Sequence, residues 1–330
     1  MLENKRAETL RLLRESGKNV SGQELCERFG VSRTAVWKVI NQLKEGGYEI
    51  EAVRNKGYIL KSVSDVLSKE ELESSLKTRW AGKEIHYFDR TDSTNIQARL
   101  AGEAGASHGT LAVAEIQDGG RGRRGRNWIS PAGVGVWMSL LLRPEISPVS
   151  ASMLTLVMAL AAQKGIKEAT GIESQIKWPN DLVLNKKKIC GILTERGTEF
   201  MEIKYVVIGT GINVNQEEFP EELRKTATSL YLETGKKYHR SRIIERILEA
   251  LEEYYGIFVK TEDMSALLEE YNEKLVNRGQ EVCVLDPKGE YRGLCQGITK
   301  TGGLLVELSD GTVTEVISGE VSVRGVYGYV

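Results

Sequence analysis

Between Ser21 and Leu60 the chain is punctuated so closely that few folds can accommodate it. Ser21 stands three residues before Glu24, a pairing that caps a helix start, and Leu25 and Phe29 follow one turn apart before Gly30 stops the run. Ser32 opens another helix, in which Val36, Val39, Ile40 and Leu43 recur as a single buried stripe until Gly46-Gly47 ends it. Tyr48, Ile50 and Ala52 then alternate with polar residues, and Arg54-Asn55-Lys56-Gly57 turns the chain back into Tyr58-Ile59-Leu60. Residues 3–60 therefore read as three helices and a hairpin, the order of a winged helix-turn-helix.

The face opposite the buried stripe carries Arg33, Trp37, Asn41 and Lys44, with Thr34 and Lys38 beside them and Ser32 at the helix start. These residue types suit phosphates and base edges. Arg54 and Lys56 at the hairpin tip can reach a neighbouring phosphate or serve as an ordinary solvated turn; the three helices before them favour DNA. The whole chain carries 45 basic and 46 acidic side chains, so any nucleic-acid contact must come from a local patch of this kind.

At 330 residues the chain is too long for one ordinary core. Residues 61–80, rich in Ser, Glu and Lys, read as a linker followed by a short helix. Strand-like runs then follow at Ile85–Phe88, Gly109–Gln117, Val134–Leu142, Gln175–Lys177, Leu182–Leu184, Ile189–Thr194 and Tyr205–Asn213. They alternate with an apolar helix near 150–165 and with Arg240–Phe258, the pattern of a mixed α+β domain. From Gly279 short β segments are broken by Asp286-Pro287-Lys288-Gly289, Thr301-Gly302-Gly303 and Ser309-Asp310-Gly311, which fits a small β-barrel.

Met153–Ala162 is the most apolar stretch and is far short of the ~20 residues a membrane span needs, so a buried core helix is expected. The N-terminus MLENKRAETLRLL lacks the pattern of a secretory signal, and a cytoplasmic location is expected. Cys26, Cys190, Cys283 and Cys295 are scattered without zinc-site spacing and read as reduced, mostly packed thiols.

The sharpest chemical motif is GGRGRRGRNW, Gly119–Trp128. Glycine permits close approach of backbone N–H groups to anionic oxygens, and arginine adds bidentate contacts. A bare tract of this type also serves as an RNA-binding segment or a solvated loop; its place between strands of a folded domain disfavours a disordered tail.

KWPND, Lys177–Asp181, precedes the basic turn Asn185-Lys186-Lys187-Lys188 and the apolar Ile189-Cys190-Gly191-Ile192-Leu193. Asp181 suits either a Mg²⁺-bound triphosphate or a turn cap. Lys188 either faces an enclosed pocket or shares a solvated tip with Lys186 and Lys187. Asp92-Ser93-Thr94-Asn95 reads by default as a helix N-cap. Gly209-Thr210-Gly211-Ile212-Asn213 lacks the third glycine and the helix of a dinucleotide fingerprint, and no P-loop is present. His86, His108 and His239 have no cluster of partners and read as surface or packing residues.

In order and spacing, DSTN, Gln117 with GRGRRGRNW, KWPND with a downstream KxxGI, and GTGIN resemble the biotin protein ligase family over essentially the whole chain. The winged helix and SGEVSVRG, Ser318–Gly325, resemble its bifunctional ligase-repressor subclass. The resemblance implies three domains: a winged helix-turn-helix at 1–65, a mixed α/β ligase domain of the class II synthetase-like type at 66–275, and an SH3-like β-barrel at 276–330.

It also implies that ATP, Mg²⁺ and biotin give biotinyl-5′-AMP, and that biotin then passes to a lysine of the biotin carboxyl carrier protein of acetyl-CoA carboxylase or another biotin-dependent carboxylase. Ser93, Thr94, Asn95, Gln117, Arg121, Gly122, Arg123, Lys188 and Gly191 are the implied biotin contacts. Lys188 and Arg123 are the implied catalytic groups. Arg123, Arg126, Trp128, Asn180 and Asn213 would meet the nucleotide and Asp181 a metal.

By the same resemblance the adenylate is the corepressor, and the adenylate-bound homodimer meets a two-fold operator through Ser32, Arg33, Thr34, Trp37, Lys38, Asn41, Arg54 and Lys56. The arginine–glycine loop is expected to be mobile without ligand and to order over the adenylate. The competing readings are a non-catalytic biotin-sensing repressor and a lipoate-type ligase.

Overall fold

The computed structural model of the protein describes residues 2–63, 65–199, 202–286, 289–317, 322–325 and 329–330. The chain divides into two compact units, Met1–Lys77 with His239–Glu245, and Thr78–Tyr238 with Arg246–Val330.

The first unit contains α1 (Leu2–Ser16), α2 (Gly22–Phe29), α3 (Arg33–Glu45), the antiparallel hairpin β1 (Tyr48–Val53) and β2 (Gly57–Val63), and α4 (Lys69–Ser75). Both expected caps form: the Glu24 N–H donates to Ser21 Oγ at 3.0 Å and the Ala35 N–H to Ser32 Oγ at 3.3 Å. Val36, Val39, Ile40 and Leu43 of α3 share a core with Leu10, Leu13, Leu25 and Ile50. Gly57 has φ +103°, and a Cβ there would stand 2.1 Å from the Val20 carbonyl oxygen. That close approach lets Val20 and Tyr58 exchange two backbone hydrogen bonds of 2.8 Å, tying the turn before α2 to the wing. Ala52 departs from the expected alternation. It pairs with Tyr58 near the hairpin tip, beyond the core residues Tyr48 and Ile50, and is exposed.

Where composition suggested a linker and a short helix over 61–80, contacts extend this unit to Lys77. Ser68 caps α4 by accepting from the Glu71 N–H at 3.1 Å. Arg14 of α1 forks onto the two oxygens of buried Glu71 at 2.6 and 2.5 Å and donates to Ser74 at 2.7 Å. Segment 239–245 joins the same unit because Asp65 accepts the backbone N–H and the Nε–H of Arg240, each at 2.8 Å.

The second unit holds β3 (Ile85–Thr91), α5 (Thr94–Glu103), β4 (Leu111–Gln117), β5 (Gly135–Leu142), α6 (Leu154–Thr170), β6 (Gln175–Lys177), β7 (Asp181–Leu184), β8 (Lys187–Glu199), β9 (Glu202–Asn213) and α7 (Leu230–Thr234). The helix α8 (Arg240–Thr261) leads on to α9 (Leu268–Lys274) and to β10 (Glu281–Asp286), β11 (Gly289–Ile298), β12 (Leu304–Glu307), β13 (Val313–Val316) and β14 (Ser322–Gly325).

Seven strands form a mixed sheet in the order β3-β4-β5-β9-β8-β7-β6, with β3 and β4 parallel and the other neighbours antiparallel. Every residue of β5 is buried, as in a strand covered on both faces. Eleven of the 17 residues of α6 are buried, so the apolar stretch noted in the sequence is a core helix. At Gly165 a Cβ would lie 2.5 Å from the Ile247 nitrogen, so glycine is what lets α6 and α8 touch backbone to backbone. The hairpin of β8 and β9 runs longer than expected at its outer end, because its polar residues there pair with each other.

The last five strands form an antiparallel sheet in the order β13-β12-β11-β10-β14, so the C-terminal domain is all-β, as expected. Ser318–Val321 of the SGEVSVRG motif lie outside the described residues, as do Pro287 and Lys288. No helix among the described residues is long and apolar enough to cross a membrane. All four cysteines are free, and burial raises the Cys190 and Cys295 thiols, the latter to about 11.

Candidate active site

A cavity of about 280 Å³ opens in the second unit, and the residues proposed from sequence for the biotin, nucleotide and metal contacts all lie in its wall. Ser93, Thr94, Asn95 and Gln117 form one part. Arg121, Gly122, Arg123, Arg126 and Trp128 form another, and Asn180, Asp181, Lys188, Gly191 and Asn213 a third.

The first group is a wired set of hydroxyls and amides. Gln117 Oε1 accepts from the Thr94 N–H at 2.8 Å and the Thr94 hydroxyl at 3.0 Å, and the Gln117 amide donates to Ser130 at 2.9 Å. Ser139 Oγ stands 2.7 Å from Thr94 Oγ1 and 2.6 Å from Asn95 Oδ1. The Asn95 amide donates to Glu195 Oε2 at 2.7 Å. Gly209 makes room for it, since a Cβ there would fall 2.0 Å from Asn95 Oδ1. Ser93 corrects an expectation. It occupies the N-cap position of α5 but its side chain caps nothing, while Asp92 accepts from the Ser93 N–H at 2.6 Å and from Gln97 at 3.0 Å. Ser93 lies in the cavity wall.

The arginine–glycine tract is a hairpin. Gln117 bridges Ser130, the Trp128 N–H donates to Gly120 O at 2.9 Å, Arg121 bridges Asn127, and the Gly122 N–H donates to Arg126 O at 2.7 Å around a 3₁₀ turn at Arg123–Gly125. Arg121, Arg124 and Arg126 are exposed. Arg123 is half-buried and donates to Asn180 Oδ1 at 3.0 Å; burial draws its guanidinium below its ordinary value, against the pull of the Asp181 charge. Trp128 lies on a bed of glycine: a Cβ at Gly211 would meet its indole at 2.5 Å and one at Gly191 at 2.9 Å.

Opposite the hairpin, Lys188 Nζ pairs with Asp181 Oδ1 at 2.6 Å and lies 5.1 Å from the centre of the Trp128 ring. Asn185 and Lys186 take positive φ at the tight turn from β7 into β8, so Lys186 stays exposed while Lys188 turns inward. Asp181 is only 8% exposed. Burial alone would raise its carboxyl, but Lys188, Lys177 and the hydroxyl of Tyr329 outweigh it and hold the group below the usual carboxylate range.

Among the described residues, three buried polar atoms of the cavity wall have no partner: Trp128 Nε1, Thr210 Oγ1 and Gln216 Oε1. Each such atom costs ~1–3 kcal/mol, and a ligand with complementary groups relieves the cost. A resident metal does not fit. No group of three or more His, Cys, Asp or Glu among the described residues can hold one, and Asp181 is engaged by Lys188 through Oδ1 and by Tyr329 through Oδ2.

In the first unit, Ser32 and the α3 residues Arg33, Thr34, Trp37 and Lys38 are exposed together and Asn41 is half-buried, with Arg54 and Lys56 exposed at the wing tip. Trp37, 55% exposed, is a large aromatic with no core to fill.

Residues 5–59 match the model of an HTH domain, 87–213 that of the Biotin/lipoate A/B protein ligase family, and 279–324 that of the biotin protein ligase C terminal domain. The bifunctional ligase/repressor BirA of Bacillus subtilis is 40% identical over 319 residues, covering 96% of this chain and 98% of that protein. The chain belongs to the biotin protein ligase family. BirA of Escherichia coli, also named a bifunctional ligase/repressor, is 30% identical over 311 residues, 94% of each chain. The structure of biotin protein ligase from Aquifex aeolicus in complex with biotin and ATP is similar at TM-score 0.65 and 33% identity, covering 74% of this chain and 99% of that one.

Within this ligase, Ser139, Glu195, Gln216 and Tyr329 join the site without having been picked out from sequence. A lone serine in the apolar run GVWMSLLL was the available signal for Ser139; nothing local marks Tyr329. His108 accepts from the Arg143 N–H at 3.0 Å and packs on Trp80 with ring centroids 4.4 Å apart, the packing role expected of it.

Proposed function

We propose that the chain is an ATP-dependent biotin protein ligase that forms biotinyl-5′-AMP and transfers biotin to a lysine of a biotin carboxyl carrier domain, and that it is also a biotin-responsive repressor of biotin operon genes. One observation carries this reading: a single cavity gathers a hydroxyl–amide set, an arginine–glycine hairpin and the Lys188–Asp181 pair. The reaction needs all three.

Ser93, Thr94, Asn95 and Gln117 offer donors and acceptors to the neutral ureido end of biotin. At the other end a carboxylate must approach a triphosphate, and the Lys188 ammonium offsets the meeting of like charges. A carboxylate oxygen bonds to the α-phosphorus as the bond from that phosphorus to pyrophosphate breaks, and no proton moves. Trp128, Asn180, Asn213 and Arg126 flank the nucleotide, and Mg²⁺ arrives on its phosphates as part of the substrate.

The hairpin around Arg123 covers the acyl-phosphate anhydride and keeps water from it. The neutral amine of the carrier lysine then attacks the acyl carbon. AMP leaves with the electron pair of the C–O bond, the amine gives up its proton, and an amide remains.

The carrier is that of acetyl-CoA carboxylase or another biotin-dependent carboxylase, and the reaction takes place in the cytoplasm. The adenylate also acts as corepressor: the adenylate-bound homodimer presents two copies of α3 and the wing to a two-fold operator, and unmodified carrier relieves repression by consuming the adenylate.

The test mixes purified protein with Mg·ATP, labelled biotin and a carrier domain, and follows pyrophosphate release and label transfer, with lipoate as competitor. Both signals together with biotin preferred are the expected result. Biotin binding without pyrophosphate release overturns the ligase in favour of a sensor, and preference for lipoate overturns the substrate. Lys188→Ala is expected to abolish or greatly slow adenylate formation while leaving the protein folded.

A further inference from the structure

The Lys188–Asp181 pair has a third partner to which the reaction as described gives no role. Tyr329 lies in the wall of the same cavity, its hydroxyl donating to Asp181 Oδ2 and the centre of its ring 3.8 Å from Lys177 Nζ. The other oxygen of Asp181 pairs with Lys188 Nζ at 2.6 Å. Asp181 thus sits in the field of two ammonium groups, both of which favour its charged form, and a carboxylate so placed can turn toward either. Tyr329 breaks that symmetry. Its hydroxyl fixes one oxygen, its π face holds Lys177, and the second oxygen is left to Lys188.

A lysine is a point charge on a flexible four-carbon stem, so its direction has to be imposed from outside. We propose that Tyr329 is a positioning residue for adenylate formation: by holding Asp181 turned toward Lys188, it aims the Lys188 ammonium at the place where the biotin carboxylate meets the α-phosphate. This rests on Lys188 being the cation that neutralises the reacting groups. It gives the C-terminal domain a part in the chemistry, which Val323 of β14, also in the cavity wall, reinforces.

Tyr329→Phe keeps the ring over Lys177 and removes the hydroxyl; Tyr329→Ala removes both. The test measures biotin- and Mg·ATP-dependent pyrophosphate release by the full chain across pH, with thermal unfolding alongside. For Tyr329→Phe, kcat is expected to fall about tenfold, or about 1.4 kcal/mol, with KM for biotin and the unfolding temperature unchanged. Its acid limb is expected to move to higher pH, because Asp181 loses a donor to its charged form while Lys188, Lys177, Arg123 and Cys190 around it stay in place. Tyr329→Ala is expected to lose more activity.

A Phe variant with the kcat and acid limb of the parent overturns the proposal, and that variant alone decides if the Ala variant does not fold. Lys188→Ala separates the two levels. If it keeps turnover, the reading of Lys188 fails; if it is inactive while Tyr329→Phe matches the parent, the Tyr329 proposal alone fails.

Discussion

Ser139 Oγ stands 2.6 Å from Asn95 Oδ1, on a strand whose every residue is buried. The hydroxyl is fully enclosed and also lies 2.7 Å from Thr94 Oγ1, so one serine sets the orientation of two groups that face the cavity. Ser139→Ala leaves the Asn95 carbonyl oxygen without this donor, at a cost of ~1–3 kcal/mol. Biotin affinity is expected to fall by about tenfold or more with KM for ATP unchanged. Calorimetric titration with biotin checks this, and an unaltered affinity would refute it.

The Arg123 guanidinium joins the hairpin to the KWPND turn through Asn180 at 3.0 Å. Arg123→Gly cuts that tie and, on the function proposed above, removes the cation of the covering hairpin. Adenylate formation is expected to continue while the intermediate escapes, seen as free biotinyl-AMP or as loss of carrier selectivity. Retention equal to that of the parent would show that the hairpin does not act as a cover.

Trp37 and Lys38 project from α3 opposite its buried stripe. Trp37→Ala and Lys38→Ala are expected to weaken operator binding and leave ligation and thermal stability nearly intact. For Lys38→Ala the slope of log affinity against log salt should drop by about one phosphate contact. A parallel loss of ligase activity would mean that these side chains support folding instead.

Glu252 accepts the backbone N–H groups of Arg79, Trp80 and Ala81 at 2.9, 2.6 and 2.9 Å. Burial alone would raise its carboxyl, but these donors prevail and hold it below its ordinary value. A depressed carboxyl stabilises the fold fully above the unfolded-state value of about 4.3, and the contribution is lost as pH falls through the folded-state value. Glu252→Gln has one acceptor oxygen fewer for this purpose and is expected to destabilise by about 1–2 kcal/mol at neutral pH. Denaturant melts at pH 7 and pH 3 test it: the gap from the parent should narrow at the lower pH.

Where structure depends on neighbours along the chain, it was legible. The caps at Ser21 and Ser32, the buried stripe of α3 and the turns near Gly302 and Gly311 all follow from backbone and side-chain preferences that act within a few residues. The motifs stood out in the sequence but their shape did not: GRGRRGRNW, read as a loop, closes into a hairpin through its own glycines, and Lys188, left open between a pocket and a solvated tip, turns inward after the tight turn at Asn185-Lys186.

Other features needed contacts across long stretches of sequence. The end of the first unit at Lys77 is set by Arg14 on Glu71, 57 residues away. Asp181, which by composition suits either a metal or a turn, is claimed by Lys188 and by Tyr329, the latter 148 positions on. Local preference is written in each short segment. A buried charge, by contrast, takes whatever partner the fold brings within reach, and only the tertiary structure decides which one that is.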